Sequence, residues 1–140
     1  MPTHEARTVS ISIERDWREV YEYASVPQNF ARWASGLGSG LERSGEDWTA
    51  QGPEGPIRIR FSPPNEFGVL DHVVTLAPGV EILIPLRVTA NGSGSEVALT
   101  LFRLPGMTAE KFAADADWVQ RDLEKLRALL ETQRKPTGPT

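Results

Sequence analysis

The stretch TAEKFAADADWVQRDLEKLRALL, residues 108–130, decides the fold, because its apolar side chains recur at intervals of three and four. That spacing places them on one face of an α-helix. Thr108 is a suitable N-cap, and the pattern predicts a helix running to about Gln133, nearly ~40 Å long at ~1.5 Å per residue. The apolar stripe comprises Phe112, Ala116, Val119, Leu123, Leu126 and Leu130. A helix with such a stripe needs a large apolar surface to pack against.

Strands upstream of this helix supply that surface. Residues 41–104 consist of short apolar runs separated by turn-forming residues, which predicts five or six strands. The candidate segments are 41–43, 48–51, 57–61, 67–76, 80–90 and 96–104. A further strand at 8–14 is indicated because Val9, Ile11 and Ile13 alternate with polar residues.

Two short helices are predicted between the first strand and the rest. Asp16 is a suitable N-cap for a helix that ends near Ala24, and a second helix at 28–34 carries Phe30 and Trp33 on one side. These helices are too short to cover the sheet, so the long helix must lie across it. The sequence therefore predicts an α+β domain: a curved antiparallel sheet of six or seven strands, two short helices and one long C-terminal helix.

The domain is expected to span residues 8–133, with a flexible arm at 1–7 and a flexible tail at 134–140. The glycine-rich segment 36–40 superficially resembles a phosphate-binding loop. It lacks the required lysine and does not join a buried strand to a helix, so a linker is the better interpretation.

Composition excludes several classes of function. The 140 residues carry 15 Lys+Arg against 19 Asp+Glu, a net charge of −4 that argues against nucleic acid or a polybasic membrane patch as partner. The absence of cysteine excludes disulfides and thiolate chemistry, and two distant histidines predict no metal site. No apolar run approaches the ~20 residues of a membrane helix. With no signal peptide recognisable at the N-terminus, we expect a cytoplasmic protein without membrane insertion and without a cofactor.

The order of elements resembles the START-like superfamily, which includes the major birch-pollen allergen and the polyketide cyclase/dehydrase-like (SRPBCC) proteins. The matching stretches are the strand 9–13 with the helix 16–24, the segment Val-Pro-Gln-Asn-Phe-Ala-Arg-Trp at 26–33, and the closing helix 112–130. The resemblance implies a helix-grip fold with a cavity between sheet and long helix. It implies no single reaction, because members include lipid carriers, hormone receptors, cyclases and co-chaperones.

The register of the 80–104 hairpin identifies the face that the helix covers. The turn Asn91-Gly-Ser-Gly94 places Gly92 and Ser93 at the tip. The pairs are then Val88 with Val97, Leu86 with Leu99, Ile84 with Leu101, and Ile82 with Arg103. Arg103 enters this concave face near one end, where it either balances an acid or lies at the rim with its head in water. The opposite face is polar except for Leu83 and Phe102.

Asp71 and His72 lie in an apolar strand, and adjacent strand residues point to opposite faces. A two-residue tip at Pro78 and Gly79 opposes Asp71 to Leu86 and places the acid inside. A three-residue loop places His72 inside, opposite Ile84, and we favour it because it aligns more bulky side chains. The inward residue is the candidate acid/base or hydrogen-bond anchor, with a hydrogen-bonded structural histidine as the alternative.

The leading hypothesis is a module that binds an apolar or aromatic small molecule, as monomer or homodimer. The expected ligand-binding residues are Phe30, Trp33, Ile59, Phe61, His72, Ile84, Leu86, Leu99, Leu101, Arg103, Phe112, Asp115 and Val119. Two alternatives stay open: a cyclase- or dehydratase-like enzyme using His72 or Asp71, and a regulatory or client-interaction protein using the outer face with Leu83 and Phe102. Asp115 either faces the cavity mouth or only favours the helix dipole.

Overall fold

The computed structural model describes residues 3–35, 41–52 and 55–132, so the predicted linker 36–40 and tail 134–140 lie outside the described residues. Eight strands and three helices occupy these ranges, and the predicted α+β architecture is confirmed. In chain order they are β1 (Ala6–Ile13), α1 (Trp17–Ala24), α2 (Pro27–Trp33), β2 (Glu42–Ser44), β3 (Asp47–Gly52), β4 (Gly55–Phe61), β5 (His72–Ala77), β6 (Val80–Ile84), β7 (Leu86–Asn91), β8 (Gly94–Phe102) and α3 (Ala109–Thr132).

The first strand and first helix form as predicted. Val9, Ile11 and Ile13 are buried on one face of β1, which pairs antiparallel with β8 along its whole length. The strand begins at Ala6, within the segment predicted as an arm. The carboxylate of Asp16 accepts a hydrogen bond from the backbone N–H of Arg18, so it caps α1.

The strands form two sheets because Pro85 interrupts the predicted strand 80–90. One sheet has the order β1-β8-β7 and the other β2-β3-β4-β5-β6. Proline has no N–H to donate to a ladder, and β6 ends on one side of it while β7 begins on the other. The prediction of one continuous strand is therefore wrong, which also explains why eight strands are seen rather than six or seven.

The predicted hairpin register is right on one side of Pro85 and wrong on the other. Leu86 pairs with Leu99 and Val88 with Val97, as predicted. The predicted pairs of Ile84 with Leu101 and Ile82 with Arg103 do not form; β6 pairs instead with β5. The ladder of β8 on this side ends where the N–H of Thr100 donates to the carbonyl of Pro85, at 3.0 Å.

The predicted strand 67–76 becomes regular only at His72. Upstream of it, the side chain of Asn65 bonds the backbone of both Phe67 and Val69 and forms a compact turn. Gly68 has a φ of +72°, and a Cβ there would lie 2.1 Å from the carbonyl oxygen of Val88. Only glycine allows the chain to approach β7 this closely.

The long helix lies along β1, and its N-cap is confirmed: the hydroxyl of Thr108 accepts the N–H of Lys111. Near the far end, Arg15 Nη1 donates a hydrogen bond to the backbone carbonyl of Leu130 at 2.6 Å and so ties the segment after β1 to the long helix. Most of the predicted stripe is buried and Val119 is half-buried, so the stripe forms the core with the apolar face of β1. The buried members are Phe112, Ala116, Leu123, Leu126 and Leu130.

Candidate functional site

The predicted ligand-binding residues are divided between two pockets and the core. The first pocket, which we call the aromatic pocket, has a volume of about 320 Å³ and lies between the two short helices and strands β3 and β4. Its lining includes four aromatic rings, three prolines and one charge of each sign, so its polar groups do not favour a ligand of either charge. The residues are Tyr21, Ala24, Ser25, Pro27, Phe30, Arg43, Glu46, Trp48, Phe61, Ser62, Pro63, Pro64 and Leu70.

The second pocket, the helix–strand pocket, has a volume of about 220 Å³ and lies between β6, β8 and the first half of α3. Three consecutive residues of β6 and three of β8 line it. Consecutive strand residues face opposite sides of a sheet, so this lining identifies a gap between two strand edges. The residues are Ile82, Leu83, Ile84, Thr100, Leu101, Phe102, Leu104, Met107, Asp115, Trp118 and Val119.

The helix–strand pocket thus occupies the place where the predicted pairing of Ile84 with Leu101 fails. Because β8 is held to Pro85 while β6 follows β5, the two strands part just beyond the proline. The sequence signal for this gap is Pro85, whose effect on the ladder the register prediction did not include.

The polar side chains of the helix–strand pocket already have hydrogen-bond partners within the protein. Asp115 Oδ1 accepts a hydrogen bond from Lys111 Nζ at 2.6 Å, and Thr100 Oγ1 lies 3.0 Å from Thr8 Oγ1. The indole N–H of Trp118 donates to Ser35 Oγ, which does not line the pocket. The pocket therefore presents a mainly carbon surface.

His72 lies inside, as the favoured register predicted. It is 4% exposed and pairs with Ile84 on one side and Phe61 on the other. The turn differs from the prediction, because a two-residue tip at Pro78–Gly79 combines with an irregular register between Thr75 and Ala77 to give the same pairing.

The protonation state of His72 follows from its surroundings. Its Nδ1 lies 3.0 Å from the carbonyl oxygen of Leu70, which can only accept, so Nδ1 carries the proton. Burial lowers the pKa of His72 below its ordinary value, which keeps the ring neutral at neutral pH. The rings of Phe30 and Phe61 pack against it, with centroids 5.3 and 5.8 Å away. His72 lines neither of the two pockets described here.

Asp71 lies on the opposite face of the strand and is held in an ion pair. Arg87 donates to both carboxylate oxygens, at 2.8 and 3.0 Å, and the N–H of Leu86 donates to Oδ1 at 2.9 Å. The hydrogen bonds from Arg87, with that of Leu86, hold the pKa of Asp71 below its usual range. Asp71 and His72 therefore do not face one common substrate, and Asp71 ties β7 to the segment before β5.

The remaining predicted site residues fall into four groups. Phe30 and Phe61 line the aromatic pocket, whereas Ile84, Leu101, Asp115 and Val119 line the helix–strand pocket. The core contains Trp33, Ile59, Leu86, Leu99 and Phe112. Arg103 lies at the rim, donating to the carbonyl of Met107 at 2.9 Å and to Glu5 at 3.2 Å.

Two buried donors have no hydrogen-bond partner within the described ranges, Tyr23 Oη and Trp33 Nε1. Neither lines the two pockets, so neither defines a ligand contact there. Over the same ranges, His, Asp and Glu side chains form no group of three or more that could hold a metal ion. None of the helices described is both long and apolar enough to cross a membrane.

No protein-family model and no curated protein matches the chain, whereas solved structures do match its fold. DynU16, from the dynemicin biosynthetic locus, is similar with a TM-score of 0.69 and 19% identity over 91% of this chain and 47% of its own. A START superfamily protein from Mycobacterium smegmatis is similar with a TM-score of 0.69 and 8% identity, over 91% of this chain and 97% of its own. Ara h 8.0201 is similar with a TM-score of 0.65 and 8% identity, over 92% of this chain and 99% of its own. The chain therefore has the helix-grip fold of the START-like, birch-pollen-allergen-like proteins.

Proposed function

We propose that the protein binds a small, neutral, apolar molecule in the helix–strand pocket. The observation that carries the proposal is the gap between β6 and β8 beyond Pro85, which exposes apolar side chains from both strands and from α3 to one pocket. Leu83 and Trp118 at this pocket are 52% and 40% exposed, an arrangement that costs hydration free energy unless an apolar partner covers it.

The lining supports a neutral ligand of limited size. The one carboxylate, that of Asp115, is paired with Lys111, so it neither needs nor excludes a charged partner. A volume of about 220 Å³ is below the ~300–1,000 Å³ of sites for drug-sized ligands. The pocket therefore suits a fragment-sized molecule, or one end of a longer one.

Binding is better supported than catalysis. A general base must come within hydrogen-bond reach of its substrate. His72 lines neither pocket, and Asp71 is engaged by Arg87 on the other face. The enzyme alternative requires a substrate whose turnover is lost in His72→Gln or Asp71→Asn.

Fluorescence titration with N-phenyl-1-naphthylamine, a neutral apolar probe, tests the proposal. The wild-type protein is expected to bind it, and Leu101→Trp, which fills the pocket, to bind it at least about tenfold more weakly, a change of about 1.4 kcal/mol. Leu76→Trp is the matched control, because Leu76 is exposed and outside the pocket. Leu83→Glu, at the exposed rim, serves if Leu101→Trp does not fold. Equal affinity in all four proteins would refute the assignment of the pocket.

The interaction-protein alternative stays a hypothesis. Of its two residues, Leu83 is exposed and Phe102 half-buried, and both line the helix–strand pocket rather than a separate surface. Self-association in equilibrium sedimentation that Leu83→Glu abolishes would favour it over ligand binding.

The proposal also includes a cytoplasmic location, supported by the lack of cysteine, which cell fractionation tests.

A further inference from the structure

A chain of hydrogen bonds links the end of α2 to the wall of the helix–strand pocket. Trp118 Nε1–H donates to Ser35 Oγ at 2.7 Å. The Ser35 hydroxyl in turn donates to Asp122 Oδ1 at 2.6 Å, and the N–H of Ser35 reaches the same oxygen at 3.3 Å. Each donor and acceptor in this chain is used in a chemically consistent direction, because indole only donates and the carboxylate only accepts.

The spacing on α3 explains why one serine contacts both residues. Trp118 and Asp122 are four apart, so they lie one above the other on the same helix face. Ser35 stands directly after α2, whose C-cap is Ala34. Two short bonds to a single hydroxyl therefore fix both the indole and the carboxylate against the end of the second helix.

The orientation of the Trp118 ring determines what the pocket presents. Its nitrogen is bonded to Ser35, outside the lining, so the ring offers carbon surface to a ligand beside Val119 and across from Leu83. Trp118 is 40% exposed, so apolar packing restrains its ring only in part. Without the acceptor on Ser35, the indole N–H would have only water to bond, and this restraint on the ring would be lost.

We infer that Ser35 is a positioning residue of the binding site: its hydroxyl accepts a hydrogen bond from the Trp118 indole N–H, donates one to Asp122 and thereby holds the ring as one wall of the helix–strand pocket. This inference rests on the proposed function of that pocket. It assigns the end of α2, remote in sequence, to control of how long a ligand stays bound. Burial also raises the pKa of Asp122, with Ser35 acting in the opposite sense, so the contact with Ser35 stabilises the charged carboxylate.

The test compares Ser35→Ala and Ser35→Thr with wild type. Ser12→Ala is the matched control, since the Ser12 hydroxyl donates to Glu96 between β1 and β8, and Ser12 lines neither pocket. The first readout is the indole N–H signal of Trp118 in a ¹⁵N–¹H spectrum, assigned with Trp118→Phe. The second is the dissociation rate of N-phenyl-1-naphthylamine, measured by stopped-flow displacement.

Ser35→Ala is expected to shift the Trp118 indole signal, to hasten its exchange with water and to release the probe about three- to tenfold faster, the loss expected for one net hydrogen bond. Ser35→Thr, which keeps the hydroxyl, should leave both readouts close to those of the wild type, and Ser12→Ala should change neither.

An indole signal that Ser35→Ala leaves unchanged would overturn the inference. A shifted signal with an unchanged release rate would overturn the role toward a ligand. Failure of the wild type to bind the probe would instead refute the proposed function, and with it that role, while the indole signal would still report the hydrogen bond alone.

Discussion

The buried, neutral His72 predicts a specific loss of stability in mild acid. In the unfolded chain the imidazole takes up a proton below its ordinary pKa of about 6.5. In the folded protein burial lowers its pKa, so the ring stays neutral and Nδ1–H keeps its bond to Leu70. The unfolded state then binds one more proton than the folded state, and the free energy of unfolding falls as the pH falls below about 6.5.

The size of the effect follows from linkage. One full proton of difference changes the free energy of unfolding by about 1.36 kcal/mol per pH unit, which is the steepest slope that His72 can contribute below about pH 6.5. The variant His72→Gln removes the titration but keeps an N–H donor for the Leu70 carbonyl. It should be less stable than wild type at about pH 7.5 by about 1–2 kcal/mol, and the difference should narrow as the pH falls below about 6.5.

Urea unfolding followed by circular dichroism between about pH 7.5 and 5 measures this directly. Carboxylates titrate in both proteins, so only the difference between them reports His72. His4→Gln, the same substitution at an exposed histidine, is the control. Parallel pH profiles for wild type and His72→Gln would refute a neutral, buried imidazole.

Three further predictions follow from the packing. Gly68→Ala should lower the free energy of unfolding in urea by about 2–4 kcal/mol, because the added Cβ meets the Val88 carbonyl. Gly79→Ala, where a Cβ meets open space, should lower it by about 1 kcal/mol. Equal losses in the two variants would contradict the close approach at Gly68. Asp71→Ala should lower the free energy of unfolding by about 1–3 kcal/mol, because it leaves the Leu86 N–H without its acceptor. Arg87→Met, which removes only the exposed ion pair, should lower it by about 0–1 kcal/mol. A larger loss in Arg87→Met than in Asp71→Ala would contradict this assignment. Asp122→Asn should raise the thermal midpoint at neutral pH, where burial penalises the charge, and lose that advantage near pH 4; a loss of stability at neutral pH would contradict it.

The sequence predicted correctly the elements that short sequence patterns determine, namely the long helix and the turn between β7 and β8. The three- and four-residue spacing of α3 predicts a stripe whose burial is confirmed, apart from the half-buried Val119. The turn Asn91-Gly-Ser-Gly94 fixes the pairing of β7 with β8, because its geometry leaves one register. The inward position of His72 also followed from the favoured of two registers, the one that aligned more bulky residues, although the three-residue loop assumed for it is not the turn that forms.

What the sequence did not show are the features that depend on distant backbone. Pro85 leaves both the periodicity and the composition of residues 80–90 those of one strand, yet it separates β6 from β8 and opens the helix–strand pocket. Ile84 and Leu101 were therefore predicted as a pair, and they line the same pocket without pairing. Trp118 has a place at this pocket because its indole meets Ser35, 83 residues away, a contact that no local pattern encodes.

The most direct test of the account is to map where N-phenyl-1-naphthylamine contacts the protein, using methyl-labelled Ile, Leu and Val residues in NMR titration. We predict that the largest shifts arise at Ile84, Leu101 and Val119, which line the helix–strand pocket. Leu70, in the aromatic pocket, should remain unperturbed. Shifts concentrated at Leu70, or no saturable shifts at all, would contradict the claim that the gap beyond Pro85 is the binding site.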